Sequence, residues 1–462
     1  MFDDTIAAIS TPPGEGGIGI VRLSGSRARK IGLSIFHFAG DVTDPESHRL
    51  YYGIIVDGNS GQHVDEALIS FMDAPRTFTR EDVVEINCHG GILPLSKTLE
   101  LVLSAGARIA GPGEFTQRAF LNGRIDLAQA EAVIQVIRAR TETAMKLGMA
   151  QLQGRLSREV RQIRHTLLTL LAHIEASIDF PEHHDVEELA RDRLSAGIEK
   201  GITEITKLLE TADKGRILRE GIRTAIVGRP NVGKSSLLNA LLQEQRAIVT
   251  NIPGTTRDLL EENINLGGVA LTVMDTAGIR KAKNDVEKIG VQRSREALEK
   301  ADLVLFLLDA ARGITAADKE IIAEIGGKPC IVIANKVDLL ENDHEETVRG
   351  IAGAVTPRRL VAMSLLHEKG LDELEQSILS TVFKGDVTSP ESVMVTSKRH
   401  KNALHQAKEA LNDLLTALQA GYAVDLLAID LHTALTALGE ITGETVGDQL
   451  AEEIFSTFCI GK

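Results

Sequence analysis

The sequence predicts a multidomain fold of mixed class, α/β and all-α together: an N-terminal α+β domain, a central helical bundle, and an α/β domain inserted into that bundle. Three observations predict it. The chain has 462 residues, more than one ordinary core accommodates. From Asp126 the short apolar runs and glycine turns give way to long helical periodicity nearly free of glycine and proline, and the same texture returns from about residue 399. Between these stretches, residues 222–383 alternate β-rich runs with helical ones, the pattern of a mostly parallel sheet with crossover helices.

Taken in order, residues 5–9, 19–23, 50–56, 66–71 and 82–87 are short apolar runs bounded by turn residues and read as strands. Residues 27–36 and 92–106 read as helices. Leu127, Ala130, Ala132, Ile134 and Ile137 recur at helical spacing, so long helices are expected over 126–175, with a break, and over 187–213. In the inserted segment, strands are expected at 222–227, 260–266, 269–274, 303–308, 329–334 and 359–363, with helices at 233–243, 286–300, 316–325 and 371–382. Helices at 399–420, 423–439 and 446–458 complete the bundle, since a domain insertion leaves the flanks free to pack together. The expected domains are 1–121, 122–219 with 384–462 as the second part of the helical domain, and the inserted 220–383.

Composition narrows the function. Trp is absent and aromatics are 3% of the chain, which argues against stacking platforms for single-stranded nucleic acid. The net charge is −14, and the densest basic stretches are only Arg158 to Arg164 and Lys398 to Lys401. An RNA partner would therefore need positive surface from a second protein; the plain alternative is an acidic surface that favours solubility. Cys88, Cys330 and Cys459 are too widely spaced for a metal-ligand pattern, and Cys330 belongs to an apolar run expected in the core. The acidic opening and the lack of an 18-residue apolar span make a cytoplasmic protein without a membrane segment the expectation.

The chemistry starts at Gly228-Arg-Pro-Asn231-Val232-Gly233-Lys234-Ser235, which follows the strand Thr224-Ala-Ile-Val227 and opens a helix with Ser236. This is a P-loop: the glycines let backbone N–H groups face phosphates, Lys234 reaches the β and γ oxygens, and Ser235 holds Mg2+. Asp275-Thr276-Ala277-Gly278 follows a second apolar strand, where the carboxylate can hold Mg2+ through water and the Gly278 N–H can meet a γ-phosphate. Asn335-Lys336-Val-Asp338 follows a third. Asp338 can accept both N–H donors of guanine, an edge adenine lacks. Asn251-Ile-Pro253-Gly254-Thr255-Thr256 supplies a threonine able to join Mg2+ and sense the γ-phosphate. Together these motifs predict binding and hydrolysis of GTP.

With these motifs in place, the inserted segment resembles a Ras-like GTPase domain of the translation-factor class and, within it, the family of tRNA-modification GTPases called MnmE or TrmE. Ile279 stands where Ras-like proteins carry a water-orienting Gln, and the resemblance assigns that role to Glu287 of Asp285-Val-Glu-Lys-Ile-Gly290. From the residues alone, Glu287 is equally a solvated glutamate at a helix start. In the family a K+ ion replaces an arginine finger when two GTP domains meet; its ligands match Asn231 and backbone carbonyls around Pro253 to Thr255, though Asn231 also suits a simple turn. One departure is Ser364-Leu365-Leu366, where the family usually has Ser-Ala-Lys or Ser-Ala-Arg. Ser364 keeps a contact to the base oxygen within reach, while the lost cation predicts weaker nucleotide affinity with specificity unchanged.

The same resemblance extends to the flanks through Thr11-Pro-Pro-Gly-Glu-Gly-Gly-Ile-Gly-Ile-Val-Arg22, Glu81-Asp-Val-Val-Glu85-Ile-Asn-Cys-His89-Gly-Gly91, Gly111-Pro-Gly-Glu-Phe115 through Arg124, and the terminal Phe458-Cys459-Ile-Gly-Lys462. It implies a folate-binding N-terminal domain that takes 5-formyltetrahydrofolate or methylenetetrahydrofolate at a dimer interface. Arg22, Glu85 and Arg124 are then the ligand contacts, and Cys459 and Lys462 lie near the one-carbon group. A carboxylate suits the N–H edge of a pterin and arginines suit carboxylates; a structural salt bridge explains the same charges. No neighbouring His or Asp at fixed spacing activates Cys459 as a nucleophile. The implied function is GTP hydrolysis coupled to 5-carboxymethylaminomethyl or aminomethyl formation at wobble uridine 34 of certain tRNAs. The implied assembly is a homodimer that joins the FAD-binding partner MnmG, or GidA, in a heterotetramer. The chain has no dinucleotide fingerprint of its own, in keeping with an outside source of flavin. Two other readings share the GTP motifs: a ribosome-assembly GTPase like Era or Der, and a regulatory GTPase with scaffold flanks.

Overall fold

The computed structural model describes residues 3–179, 187–243, 262–274, 296–340, 344–355, 358–383 and 393–462. It divides into two compact units. One comprises residues 1–134, 151–205 and 403–462; the other comprises 135–150 and 206–402.

The first unit is built on a seven-stranded sheet in the order β3-β4-β5-β6-β2-β1-β7. Its strands are β1 (Ile6–Ile9), β2 (Gly16–Ser24), β3 (Phe36–Phe38), β4 (Arg49–Val56), β5 (His63–Met72), β6 (Val83–Gly90) and β7 (Arg108–Ile109). All pairs are antiparallel except β1 with β7. Alternation sends Val21, Leu23, Ile69, Phe71, Val84 and Ile86 into one core, closed by α1 (Ala28–Ser34) and α2 (Ile92–Ser104). The opposite face carries the cross-strand row Tyr52, Leu68, Asn87 and Ile20. The register also sets Arg22 of β2 directly opposite Glu85 of β6 on that face.

The unit continues through α3 (Glu114–Leu121), α4 (Leu127–Arg138), α5 (Glu142–Leu152), α6 (Arg155–Asp179) and α7 (Glu187–Glu210), of which α4, α5 and α7 each run past its boundary. The last helix of the chain, Asp448–Ser456, packs Phe455 and the following Phe458 against Leu127, Ala130 and Ile134 of α4, with Phe120 of α3 alongside. Phe455 lies 6.2 Å from Phe120 and 5.6 Å from Phe458, ring centre to ring centre. This aromatic cluster fixes where the terminal residues emerge.

The second unit centres on a six-stranded sheet, β13-β12-β11-β8-β10-β9. Its strands are β8 (Ile222–Val227), β9 (Glu262–Leu266), β10 (Val269–Met274), β11 (Leu303–Asp309), β12 (Cys330–Asn335) and β13 (Arg359–Ala362), with only β9 antiparallel. Strands β10, β11 and β12 are buried nearly throughout because both faces are covered: α8 (Ala212–Glu220), α9 (Lys234–Gln243) and the helix Leu371–Phe383 contribute to one core, and the helices Ala316–Ile325 and His344–Val355 to the other.

Every predicted strand has a counterpart within a few residues. The elements not predicted are β3, β7, α3, α8, two 3-10 helices of three residues and His344–Val355. Two of these are strands of two or three residues, α3 begins inside a Gly-Pro-Gly turn, and Gly350 and Gly353 blur the periodicity of the last. The segment expected to be helical from 286 lies outside the described residues up to 295. Among the described residues no helix is long and apolar enough to cross a membrane.

Candidate functional site

The phosphate-binding loop leaves β8 and enters α9. Asn231 adopts a left-handed backbone with φ +65°, and Gly233 has φ +108°. A Cβ on Gly233 would lie 2.4 Å from Asn335 Nδ2, so only glycine fits between the loop and the third motif. Val232 is buried in the core and anchors the turn from below. The Lys234 ammonium donates to the Gly228 and Arg229 carbonyls at 2.7 and 2.8 Å. Burial pulls its pKa below the usual lysine value. Ser235, half-buried, and Ser236, exposed, sit in the first turn of α9. A lysine held on loop carbonyls at a helix start, in a cradle that a side chain at 233 would fill, suits a nucleotide's phosphates.

The residues of the Asn335–Asp338 motif are tied to this loop. Asn335 Nδ2 donates to the Val232 carbonyl at 2.8 Å and its Oδ1 accepts from the Leu365 amide at 3.3 Å. Lys336, left-handed at φ +65°, reaches Asp309 at 2.8 Å. The Ser364 hydroxyl donates to Asp338 Oδ1 at 2.5 Å, and this bond leads the effects that hold the Asp338 carboxyl below its ordinary range. Asn335, Lys336, Asp338 and Ser364 thus meet beside the phosphate loop. At the departure from the family pattern, Leu365 turns onto the core while Leu366 stands 78% exposed. Pro253, Gly254, Thr255, Thr256, Asp275, Thr276, Ala277, Gly278 and Glu287 lie outside the described residues.

A second constellation forms in the other unit. Arg22 donates through Nε to Glu85 Oε1 at 2.7 Å, and its Nη2 pairs with the same oxygen. Its Nη1 reaches across 439 positions of sequence to the Gly461 carbonyl at 3.2 Å, which also accepts from the Ser10 hydroxyl. Ile460 bridges to Pro112, and the Gly113 amide donates to the Cys459 carbonyl at 3.3 Å. The terminal residues therefore dock at the end of β1 and on the Arg22 side chain of β2. Burial and the Arg22 charge pull the Lys462 ammonium below the usual lysine range, with Glu85 and Cys459 pulling the other way. Cys459 is exposed, while Cys88 and Cys330 are buried, and burial pushes the Cys330 thiol up to about 11.

Arg22, Glu85, Cys459 and Lys462 thus come together, but Arg124 does not join them. It lies over the Phe78 ring, 4.8 Å from the ring centre, and donates to the Phe78 carbonyl at 3.0 Å. Burial and the neighbouring Arg80 charge lower its pKa. Sequence reading missed Ser10 and Gly461, for which no local pattern gives a signal, because their contact joins the two ends of the chain. Among the described residues no cluster of three or more His, Cys, Asp or Glu side chains could hold a metal.

Comparison with known proteins identifies the family. A family model described as the GTP-binding protein TrmE N-terminus matches residues 5–124, and one described as the MnmE helical domain matches 127–459. Relatives called tRNA modification GTPase MnmE are 52% identical in Geobacillus thermodenitrificans, over 99% of both chains, and 50% identical in a Thermoanaerobacter species, over all of both. In Bacillus mycoides the identity is 49%, again over the full length of both. With half its residues shared along the whole of its length, the chain belongs to the MnmE (TrmE) family of tRNA modification GTPases.

Proposed function

We propose that this chain hydrolyses GTP to drive modification of the wobble uridine of certain tRNAs, working as a homodimer with an FAD-dependent partner of the MnmG kind in a heterotetramer. In this reading residues 1–121 bind a tetrahydrofolate and dimerise, residues 220–383 form the GTPase domain, and 122–219 with 384–462 form the helical domain between them. Lys234, Asn231 to Ser236 and Gly254 to Thr256 hold the phosphates; Ser235, Thr256 and Asp275 hold Mg2+; Asn335, Lys336, Asp338 and Ser364 read guanine. Asn231 and the carbonyls of Pro253 to Thr255 hold K+. That ion supplies positive charge where other GTPases use an arginine finger, and Glu287 orients the attacking water.

The fit of the N-terminal site rests on its donor set. Glu85 offers a carboxylate to the N–H edge of a pterin, and Arg22 steadies it at 2.7 Å. Lys462 and Cys459 arrive on the docked tail. Folate, when bound, supplies the one-carbon unit of the new substituent. Lys462, its pKa drawn down by burial and Arg22, is suited to move a proton beside it. The carrying observation is this docking of the chain's last residues on the Arg22–Glu85 pair, in a chain whose other unit sets Lys234 on the carbonyls of its glycine loop and joins Asp338 to Ser364 nearby. A bare apolar sheet face supports the homodimer.

GTP turnover in KCl against NaCl at matched ionic strength tests the switch. The expected outcome is a K+-specific rise of about tenfold or more that grows with protein concentration. Equal turnover in the two salts at every concentration would remove both the ion and the dimer from the mechanism.

A further inference from the structure

The glycine loop is fastened near its end by Asn335, and a second fastening holds its beginning. Arg229, the loop's second residue, donates through Nε to Asp318 Oδ1 at 2.9 Å, 89 positions away in sequence. Asp318 has no exposed side-chain surface. It stands in the first turn of the helix Ala316–Ile325, where its other oxygen accepts from the Thr315 amide at 2.9 Å and from the Thr315 hydroxyl at 2.7 Å. One oxygen therefore closes the capping box of that helix, and the other is given to the loop. The Arg229 side chain is 19% exposed, and its Nη2 is buried without a hydrogen-bond partner among the described residues. Asp318 is thus the group that compensates this guanidinium. Removing one partner of such a pair leaves the other charge uncompensated, so Arg229 would have to turn toward water and draw the loop backbone with it.

That stretch of backbone seats the loop's own cation. The Lys234 ammonium donates to the carbonyls of Gly228 and Arg229, so it rests on the residue that Asp318 fixes and on the one before it. Between the fastening at Arg229 and the one at Val232 stand only Pro230 and Asn231, and Asn231 makes the left-handed turn. The loop is pinned on both sides of its apex. Backbone N–H groups bind phosphate well when they converge before the ligand arrives, because no ordering remains to be done on binding. We propose that Asp318 is a positioning residue for GTP binding: through Arg229 it sets the glycine loop and seats Lys234. Fully buried, it reaches no ligand itself. The proposal rests on the reading of residues 228–236 as the phosphate site. The plain alternative is a pair that only ties the helix Ala316–Ile325 to the loop for stability, with no effect on nucleotide affinity.

The test is equilibrium binding of fluorescent GDP to the full-length protein, since GDP keeps the β-phosphate that the loop's N–H groups face. The variants are Asp318→Asn, Arg229→Gln and the two together, with Lys234→Ala as the control on the phosphate site. Asn at position 318 still offers its one oxygen to Thr315, but its amide then turns N–H donors on the guanidinium. The cap survives and the link to the loop is lost. Each single substitution is expected to raise the GDP dissociation constant about tenfold, the scale of one charge-assisted hydrogen bond. The double variant is expected to be no worse than either, because the two residues act as one unit. In turnover, KM for GTP is expected to rise in Asp318→Asn with kcat held within about twofold. A lowered unfolding temperature with GDP affinity kept in both single variants makes the pair a tie of the helix and overturns the proposal. Losses that multiply in the double variant overturn it, and so does a fall in kcat with KM unchanged. If Asp318→Asn does not fold, Arg229→Gln, which leaves the capping box whole, decides on GDP affinity alone. Undiminished GDP binding in Lys234→Ala overturns the phosphate-site reading together with the proposal.

Discussion

Arg118 has no exposed side-chain surface, and it carries a full charge among Asp4, Glu81 and Glu114 at 2.7, 3.2 and 3.0 Å. Removing one partner of a buried ion pair leaves the others uncompensated, at a cost of about 3–5 kcal/mol. Arg118→Met is expected to lower the stability of α3 by that order, read as faster amide exchange there; unchanged protection would show the network to be dispensable. Burial pushes the Glu114 carboxyl up, but hydrogen bonds from Arg108, the Gly111 amide and Arg118 outweigh it and hold it below the ordinary range. A carboxyl depressed in the folded state contributes stability that is whole above its unfolded pKa, about 4.3, and drains away as pH falls through the lower folded value. Protection of α3 should therefore fall as pH drops below about 4, and less steeply in Arg118→Met. Asp338 offers a sharper residue test. Asp338→Asn reverses half of the donor–acceptor match to guanine, so GTP affinity should fall by about 100-fold or more while xanthosine triphosphate gains; competition against a fluorescent nucleotide reads both. Asp338 and Ser364 were legible in the sequence because strand-end motifs are local. The bond from Asn335 to the Val232 carbonyl, which links the Asn335–Asp338 motif to the glycine loop, was not, since it joins segments 103 positions apart.

At the scale of elements, the outer face of the seven-stranded sheet leaves large apolar side chains exposed. Tyr52 of β4 is paired across with Leu68 of β5; Ile18 lies in the irregular start of β2, and Leu50 lies two residues before Tyr52 on β4. Their exposures are 54, 37, 63 and 63%. The alternation of β2, β4, β5 and β6 was readable as strands, but which face would be left open was not, because that depends on where α1 and α2 pack. An apolar row of this kind on a sheet marks a docking surface. In the proposed homodimer it is covered by a second copy. Tyr52→Asp combined with Leu68→Asp removes two large contacts and places charge in the seam. With about 1.5–3 kcal/mol lost for each side chain, the dissociation constant should rise by more than about 100-fold. Sedimentation at micromolar concentration should then show a monomer, and a persistent dimer would move the contact to another surface.

At the scale of the molecule, the contact that matters most is the one between its two ends. The helix Asp448–Ser456 places Phe455 and Phe458 on α3 and α4, and the residues after it lie along Pro112, Ser10 and Arg22. Gly461 makes this possible. Its φ is +90°, and a Cβ there would stand 2.6 Å from the Ile9 carbonyl oxygen, so any side chain must push the tail off β1. Gly461→Ala is accordingly expected to withdraw Lys462 and the Gly461 carbonyl from Arg22 and Glu85 and to weaken 5-formyltetrahydrofolate binding by about tenfold, the scale of one or two lost polar contacts. Nucleotide binding is a separate readout, because the phosphate loop and the guanine reader belong to the other compact unit. A loss confined to folate binding assigns the tail to the N-terminal site. A parallel loss of folate and nucleotide binding would instead make the tail a clasp on the fold as a whole, and an unaffected folate affinity would separate the terminal residues from the ligand altogether.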